Sequence, residues 1–344
     1  MPEKKANSAA PKLIKLSQNP FFVFDFVEYG DRLLGVGVGL RNEGRYLFEF
    51  NKRAKQWEPL PIWLETRRHS NREENFESFS GIFRQGADVW LTSHMGSIIR
   101  GNPDSADWGV SAILPDNIDH IYFVNSNIGY ATGELSAGGE LSTGCRVFKT
   151  TDGGKHWAKI YENELSGNPF DLYVFDEKTI LVAMNDEYIL RSEDGGKTWK
   201  QTGPENPSHP TNDTAWVKRN VSGASAITAY NNIAWVVGEK GSFYYSEDAG
   251  KSWSRPAFVT EVAGNQKLNS IDFSKDGKGL AVGDDGLILF TIDGGKRWYE
   301  VPVSSVSDTL NDKSNNKTDD LVKVKFVGPT ALVLGRAGTY EITF

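Results

Sequence analysis

The chain has 344 residues, 39% hydrophobic and 24% charged, with a formal net charge of −7 and a pI of about 5.4. That composition suits a soluble globular protein, and its acidity makes nucleic acid or an anionic membrane surface a poor main partner. The single cysteine, Cys145, excludes an intrachain disulfide and a multi-cysteine zinc site.

The first thirteen residues, Met1 to Leu13, carry Lys4 and Lys5 but no apolar stretch after them, so no signal peptide is read there. No window holds the ~20 apolar residues that a membrane span needs. Residues 1–10 read as a disordered tail and residues 11–344 as one domain. As the sequence stands it reads as cytoplasmic; a removed leader would make it periplasmic or lumenal. Lys12 to Leu16 then forms a short strand with no hairpin partner nearby.

From there the chain repeats. Units of strand-like runs end in a tryptophan at Trp57, Trp108, Trp157, Trp199, Trp253 and Trp298. The last four share the pattern [ST]-x-D-x-G-K-x-W, with Asp152, Gly154 and Trp157, then Asp194, Gly196 and Trp199, then Asp248, Gly250 and Trp253, then Asp293, Gly295 and Trp298. The first two keep turn residues at Asn51 and Asn102 but lack the Asp-x-Gly core. Spacings of 42, 54 and 45 residues between the last four tryptophans match one four-stranded propeller blade. In each box the hydroxyl and carboxylate satisfy turn backbone groups, the glycine takes a positive φ, and the tryptophan buries its ring between blades.

After Trp298 three more strands follow, over 321–326, 330–334 and 339–344. The expected fold is therefore all-β: a seven-bladed β-propeller of four-stranded blades, closed by the N-terminal strand pairing into the last blade. A six-bladed ring with a separate C-terminal sheet is the rival arrangement.

These segments resemble the Asp boxes, or BNR repeats, of sialidases, sortilin-type receptors and the photosystem II stability/assembly factor family. Blade count and boxes are most similar to the assembly-factor propellers. The resemblance implies that the box aspartates are structural and lie away from the working face. It also implies a non-catalytic scaffold for a protein partner, as an assembly or chaperone-like factor; an acidic scaffold without catalytic signatures and with long loops on one face would equally suit a partner-sequestering factor such as an immunity protein.

In this layout the A–B turns, at 30–31, 86–87, 231–232 and 276–277, are short and share the Asp-box face. The long connections (Pro61 to Ser78, Glu134 to Gly144, Gly203 to Asn220 and Ser304 to Asp320) share the other face, where binding is expected. Candidate partner-binding residues there are Arg67, Arg68, His69 and Arg72, with Trp63, Trp216, Lys218 and Arg219. The connection 304–320 is rich in Asp, Ser and Asn and reads as disordered. His94, Asp186, Glu239, Asp284 and Arg336 fall at B-strand ends and are expected to face the channel mouth.

Catalytic signatures are few. No sialidase Arg-x-Pro string is present; Phe83-Arg84-Gln85-Gly86 comes nearest and sits beside a short turn. The histidines His69, His94, His120, His156 and His209 form no ligand pair, so no metal and no cofactor are expected. The alternative function is a carbohydrate-binding protein or glycoside hydrolase, which would need paired carboxylates drawn from Glu134, Asp186, Glu239 and Asp284.

Overall fold

The computed structural model describes residues 11–18, 21–39, 45–60, 79–105, 107–135, 144–163, 167–185, 188–203, 223–258, 266–302, 306, 309–312 and 317–344. The tail expected over 1–10 lies outside them.

The strands form seven antiparallel blades, each starting with its A strand at the centre. The A strands are Phe22–Tyr29, Phe79–Gln85, Asn117–Phe123, Pro169–Val174, Ala224–Tyr230, Leu268–Phe273 and Leu321–Val327. The B strands are the most apolar because both their faces are covered: Ile180–Met184 and Gly279–Gly283 are buried at every position. Seven hydrophobic clusters among the described residues fill the seven interfaces between neighbouring blades.

The ring closes as the sequence implies. Lys12–Gln18 is the outer strand of blade 7, antiparallel to Gly338–Thr343, with Lys12 opposite Thr343 and Lys15 opposite Tyr340. The six-bladed alternative is thereby removed. Blade 5 carries a local irregularity. Its outer position is a single bridge between Tyr245 and Ser254, after which Ala257–Phe258 crosses to pair in parallel with Arg297–Glu300 of blade 6. Pro256, which has no N–H to donate, stands where that pairing would continue.

The Asp boxes are closed hydrogen-bond cages. In blade 4 the Gly196 N–H donates to Ser192 Oγ (2.9 Å), and Ser192 Oγ donates to Asp194 Oδ1 (3.0 Å). Asp194 Oδ1 also accepts the N–H groups of Lys197 and Thr198, at 3.0 and 2.9 Å, and its Oδ2 takes the Thr198 hydroxyl at 2.6 Å. These donors, the Thr198 hydroxyl foremost, hold the carboxyl at about 2. In blade 3 His156 supplies the corresponding ring contact to Asp152 Oδ2 (2.6 Å), so its role is structural. In the degenerate box of blade 1, Asn51 Oδ1 takes over, accepting from the N–H groups of Arg53 and Ala54.

The box glycine has a second duty beyond its positive φ. A Cβ on Gly295 (φ 90°) would fall 2.2 Å from the Trp235 ring of blade 5, and one on Gly154 would fall 2.5 Å from Trp90 of blade 2. The turn is thus packed against the preceding blade. Gly295→Ala is expected to lower stability by roughly 2–4 kcal/mol, from overpacking and left-handed strain together. Urea unfolding of this variant beside Gly328→Ala, whose Cβ would meet nothing within 4 Å at φ 61°, separates the two contributions.

One expectation fails. The connection 304–320 is not merely a polar tether: Val306 and Leu310 are buried in the blade 6–7 cluster. Asp319 is buried too, accepting the Tyr340 hydroxyl (2.7 Å) and the Ala337 N–H (2.9 Å). Two apolar residues in a polar run gave too weak a periodic signal to reveal this.

Candidate functional site

The channel is built by one repeated backbone device. Every A strand carries a register shift near its start, between Val23 and Asp25 in blade 1 and at the matching place in the other six. Such bulges bend the strand and re-aim its next side chains. After each bulge comes a residue facing the channel, then a buried apolar one, then another channel residue. The buried set is Phe26, Ile82, Ile121, Leu172, Ile227, Ile271 and Val324.

The flanking positions, except Val27, which packs between blades 1 and 2, line a cavity of about 230 Å³. One side of it is charged and internally paired. Lys325 Nζ lies 3.0 Å and Lys323 Nζ 3.4 Å from Asp25 Oδ1, joining blades 7 and 1. Burial alone would raise the Asp25 pKa, but the two lysines hold it down to about 2. Asp272 accepts the Phe326 N–H of the next blade (2.7 Å), and its own burial pushes its pKa up.

Asp25 therefore acts as an acid-sensitive bolt. Its folded pKa lies below the ordinary value, so its contribution is present above about pH 4 and is lost as pH falls through 2. The Asp25 side chain is 18% exposed, and the shift corresponds to about 2 kcal/mol. Asp25→Asn is expected to be less stable at pH 7, with two lysines losing their direct partner, and to lose less on acidification. Urea midpoints at pH 7 and near pH 2 check both halves; equal acid sensitivity in parent and variant would contradict the assignment.

The described B-strand ends are tied by hydrogen bonds and ion pairs, most of them to the following blade, and His94 meets Asp119 at the channel cavity. His94 Nε2 lies 3.3 Å from Asp119 Oδ1, Asn168 donates to Glu134, and Glu239 sits 3.9 Å from Lys267. Asp284 accepts from Asn269 (2.7 Å), which also donates to the Leu321 carbonyl of blade 7. Arg336 stands 5.6 Å over the Phe22 ring. The carboxylates set aside for a glycosidase pair, Glu134, Glu239 and Asp284, are each engaged this way; Asp186 lies outside the described residues. Arg84 is structural as well, donating to the carbonyls of Gly86 and Glu28.

The partner-binding candidates Arg67, Arg68, His69, Arg72, Trp63, Trp216, Lys218 and Arg219 all lie outside the described residues. So do the histidines His69 and His209. The described ends of their connections, Leu60 and Phe79 for one and Gly203 and Gly223 for the other, place both between a D strand and the next A strand. Cys145 is fully buried at the start of the blade 3 C strand, its thiol pushed well above the usual range by burial. It packs rather than reacts.

Sequence reasoning missed the channel residues Asp25, Asp119, His120, Asp171, Asp272, Lys323 and Lys325. A signal existed: the triplets Asp25-Phe-Val, His120-Ile-Tyr, Asp171-Leu-Tyr, Ser270-Ile-Asp and Lys323-Val-Lys all put one apolar residue between the flanking two, early in an A strand.

Comparison with known proteins places this geometry. The sequence model of the family described as "Photosynthesis system II assembly factor YCF48" matches residues 226–307. The photosystem II assembly lipoprotein Ycf48 of Trichormus variabilis is 24% identical over 274 residues, spanning 71% of this chain and 76% of that protein. Among solved structures, "YCF48 bound to D1 peptide" aligns with a TM-score of 0.64 at 15% identity, covering 97% of this chain and 94% of that one. Virginiamycin B lyase from Staphylococcus aureus aligns with a TM-score of 0.66 at 14% identity over 97% and 99% of the two chains, so the ring shape alone does not select an activity. The chain is a seven-bladed BNR-type propeller that resembles the photosystem II assembly factors.

Proposed function

We propose that this chain is a non-catalytic scaffold that binds a protein partner through the face carrying its long D–A and B–C connections. The similarity over 71% of the chain to a protein named as an assembly lipoprotein carries the reading. A neighbour of the same fold, described as bound to a D1 peptide, supports a polypeptide as the kind of partner. The architecture suits the role: a rigid ring whose described B-strand carboxylates are spent between blades, with chain length added on one face. The contacts we assign to the partner are Arg67, Arg68, His69, Arg72 and Trp63 on one connection and Trp216, Lys218 and Arg219 on a second, all outside the described residues. No helix among the described residues is long and apolar enough to cross a membrane.

The test is affinity capture from the native cells with the parent and with Arg67, Arg68 and Arg72 all changed to alanine. The parent is expected to retain one protein, and the variant to lose it by about tenfold or more, since each fork removed takes a charge-assisted contact. A protein retained equally by both baits would move the binding site elsewhere. Saturable glycan binding with no protein captured would favour the carbohydrate alternative.

A further inference from the structure

The channel is two-sided in its chemistry. Blades 7 and 1 supply the Lys323–Asp25–Lys325 cluster, whose direct ion pairs both go to Asp25. Blades 2, 3 and 4 supply three aromatic rings in an arc: Phe83 to Tyr122 at 5.0 Å between centroids, and Tyr122 to Tyr173 at 5.8 Å. Beside that arc stand the carboxylates of Asp119 and Asp171, which line the same cavity.

The ion-pair contacts of these two carboxylates are histidines, while Lys323 reaches Asp171 only through longer-range attraction. Asp171 Oδ2 accepts the Ile227 N–H (3.0 Å), while its Oδ1 lies 3.6 Å from His120 Nδ1. Asp119 Oδ1 lies 3.3 Å from His94 Nε2. No lysine or arginine among the described residues comes within 4.0 Å of either carboxylate. Charge is unbalanced overall, with Asp25, Asp119, Asp171 and Asp272 against Lys323 and Lys325. A second observation is independent of the charges. The Tyr122 and Tyr173 hydroxyls have no hydrogen-bond partner among the described residues, and burial raises the pKa of both. Both tyrosines line the cavity.

A guest that satisfies this wall is positive, to meet the carboxylates. It carries an apolar stem, to cover the rings, and its charge can sit over a ring face. A metal ion fits poorly, since no group of three or more His, Cys, Asp or Glu side chains among the described residues could hold one. A volume of about 230 Å³ is the size of one long side chain rather than a folded segment.

We propose that the channel binds one organic cation, an alkylammonium or alkylguanidinium group, between the Asp119 and Asp171 carboxylates and the Tyr122–Tyr173 rings. The cation is either a free small amine or the basic side chain of a bound polypeptide; both present the same chemistry. The site lies at the A-strand starts, toward the face of the long connections, but uses none of their residues, so its test does not depend on that reading.

Calorimetric titration with butylguanidinium, and with butyrate as the anionic counterpart, tests the site on the intact chain. One saturable butylguanidinium per chain is expected, with no butyrate binding. Asp119→Asn with Asp171→Asn is expected to weaken binding about tenfold or more, and Tyr122→Leu severalfold, from loss of ring contact. Asn at 171 keeps an acceptor for the Ile227 N–H, and the exposed Asp107→Asn on an outer strand serves as the unaffected control. A capped peptide with one central arginine distinguishes the sources: tighter binding than butylguanidinium assigns a polypeptide side chain, equal or weaker binding a free amine, and both support the site. No saturable binding up to about 10 mM, equal uptake of butyrate, or unchanged affinity in the double variant would overturn it. The cation–anion comparison needs only the parent protein, so it decides the question even where a variant folds poorly.

Discussion

Removing residues 1–18 is expected to cost the protein its cooperative folding near physiological temperature, or to lower its Tm by about 10 °C or more. The strand Lys12–Gln18 pairs with Gly338–Thr343 over six residue positions, with a shift between Lys15 and Ser17. Leu13 packs on the blade 6–7 cluster and Leu16 on the blade 7–1 cluster, so one strand serves two interfaces. The chain entropy regained on deletion offsets much of the lost pairing and burial. What it does not offset is topological. Without this strand Gly338–Thr343 becomes an open edge. Closure also relies on Trp57, whose indole N–H donates to Thr339 Oγ1 (3.1 Å) from 282 residues away in sequence. Differential scanning calorimetry of the truncated chain, with and without a peptide copying residues 11–18, gives the measurement. Recovery of the transition on adding the peptide identifies the closing strand; an unchanged Tm in the truncated chain would place the closure elsewhere.

That closure was legible because the arithmetic of strands leaves no other place for Lys12 to Leu16 once the last three strands lack a fourth. The Asp boxes were legible for a similar reason: hydroxyl, carboxylate and glycine do local work, and local work leaves local spacing. The channel was not. Asp25 meets Lys325 across 300 residues of chain, and Asp171 meets the Ile227 N–H across 56. Neither partner is marked by any short-range pattern. The partners of the B-strand ends were equally hidden. Polar residues such as Glu239 and Asp284 recur at a position that looks like a rim, yet each turn leans sideways onto the following blade. A bulge in every A strand then hands the channel to residues that a simple alternation would assign differently. The partner-binding candidates belong to connections whose sequence carries charge and aromatic character but no periodicity, so they could be named from composition and position alone.

Trp298→Ala is expected to be the most damaging single substitution among the box tryptophans, at roughly 3–5 kcal/mol. The box motif makes Trp157, Trp199, Trp253 and Trp298 look equivalent, but their surroundings differ. Trp157 and Trp199 are half-buried and donate to the carbonyls of their own boxes, Gly154 and Gly196, at 3.1 Å each. Trp298 is fully buried between blades 5 and 6, edge-on to Phe243 (4.8 Å), Trp235 (5.7 Å) and Phe273 (5.8 Å). Among the described residues blade 5 has only a bridge in its outer position, so this aromatic cluster carries more of the blade 5–6 junction than its counterparts carry elsewhere. Alanine there leaves a cavity that three rings and a parallel strand pair at Phe258 cannot close without moving the backbone. Trp298→Phe retains an aromatic ring, and it removes an indole N–H that has no partner among the described residues. It is therefore expected to cost about 1–2 kcal/mol, well under half the alanine value. Trp199→Ala, at a half-buried site, is expected to fall between those two. Urea unfolding of the three variants gives the order directly. Equal losses for Trp199→Ala and Trp298→Ala would mean that the box tryptophans act mainly as turn closures, with the junction between blades 5 and 6 held by Trp235 and its neighbours instead.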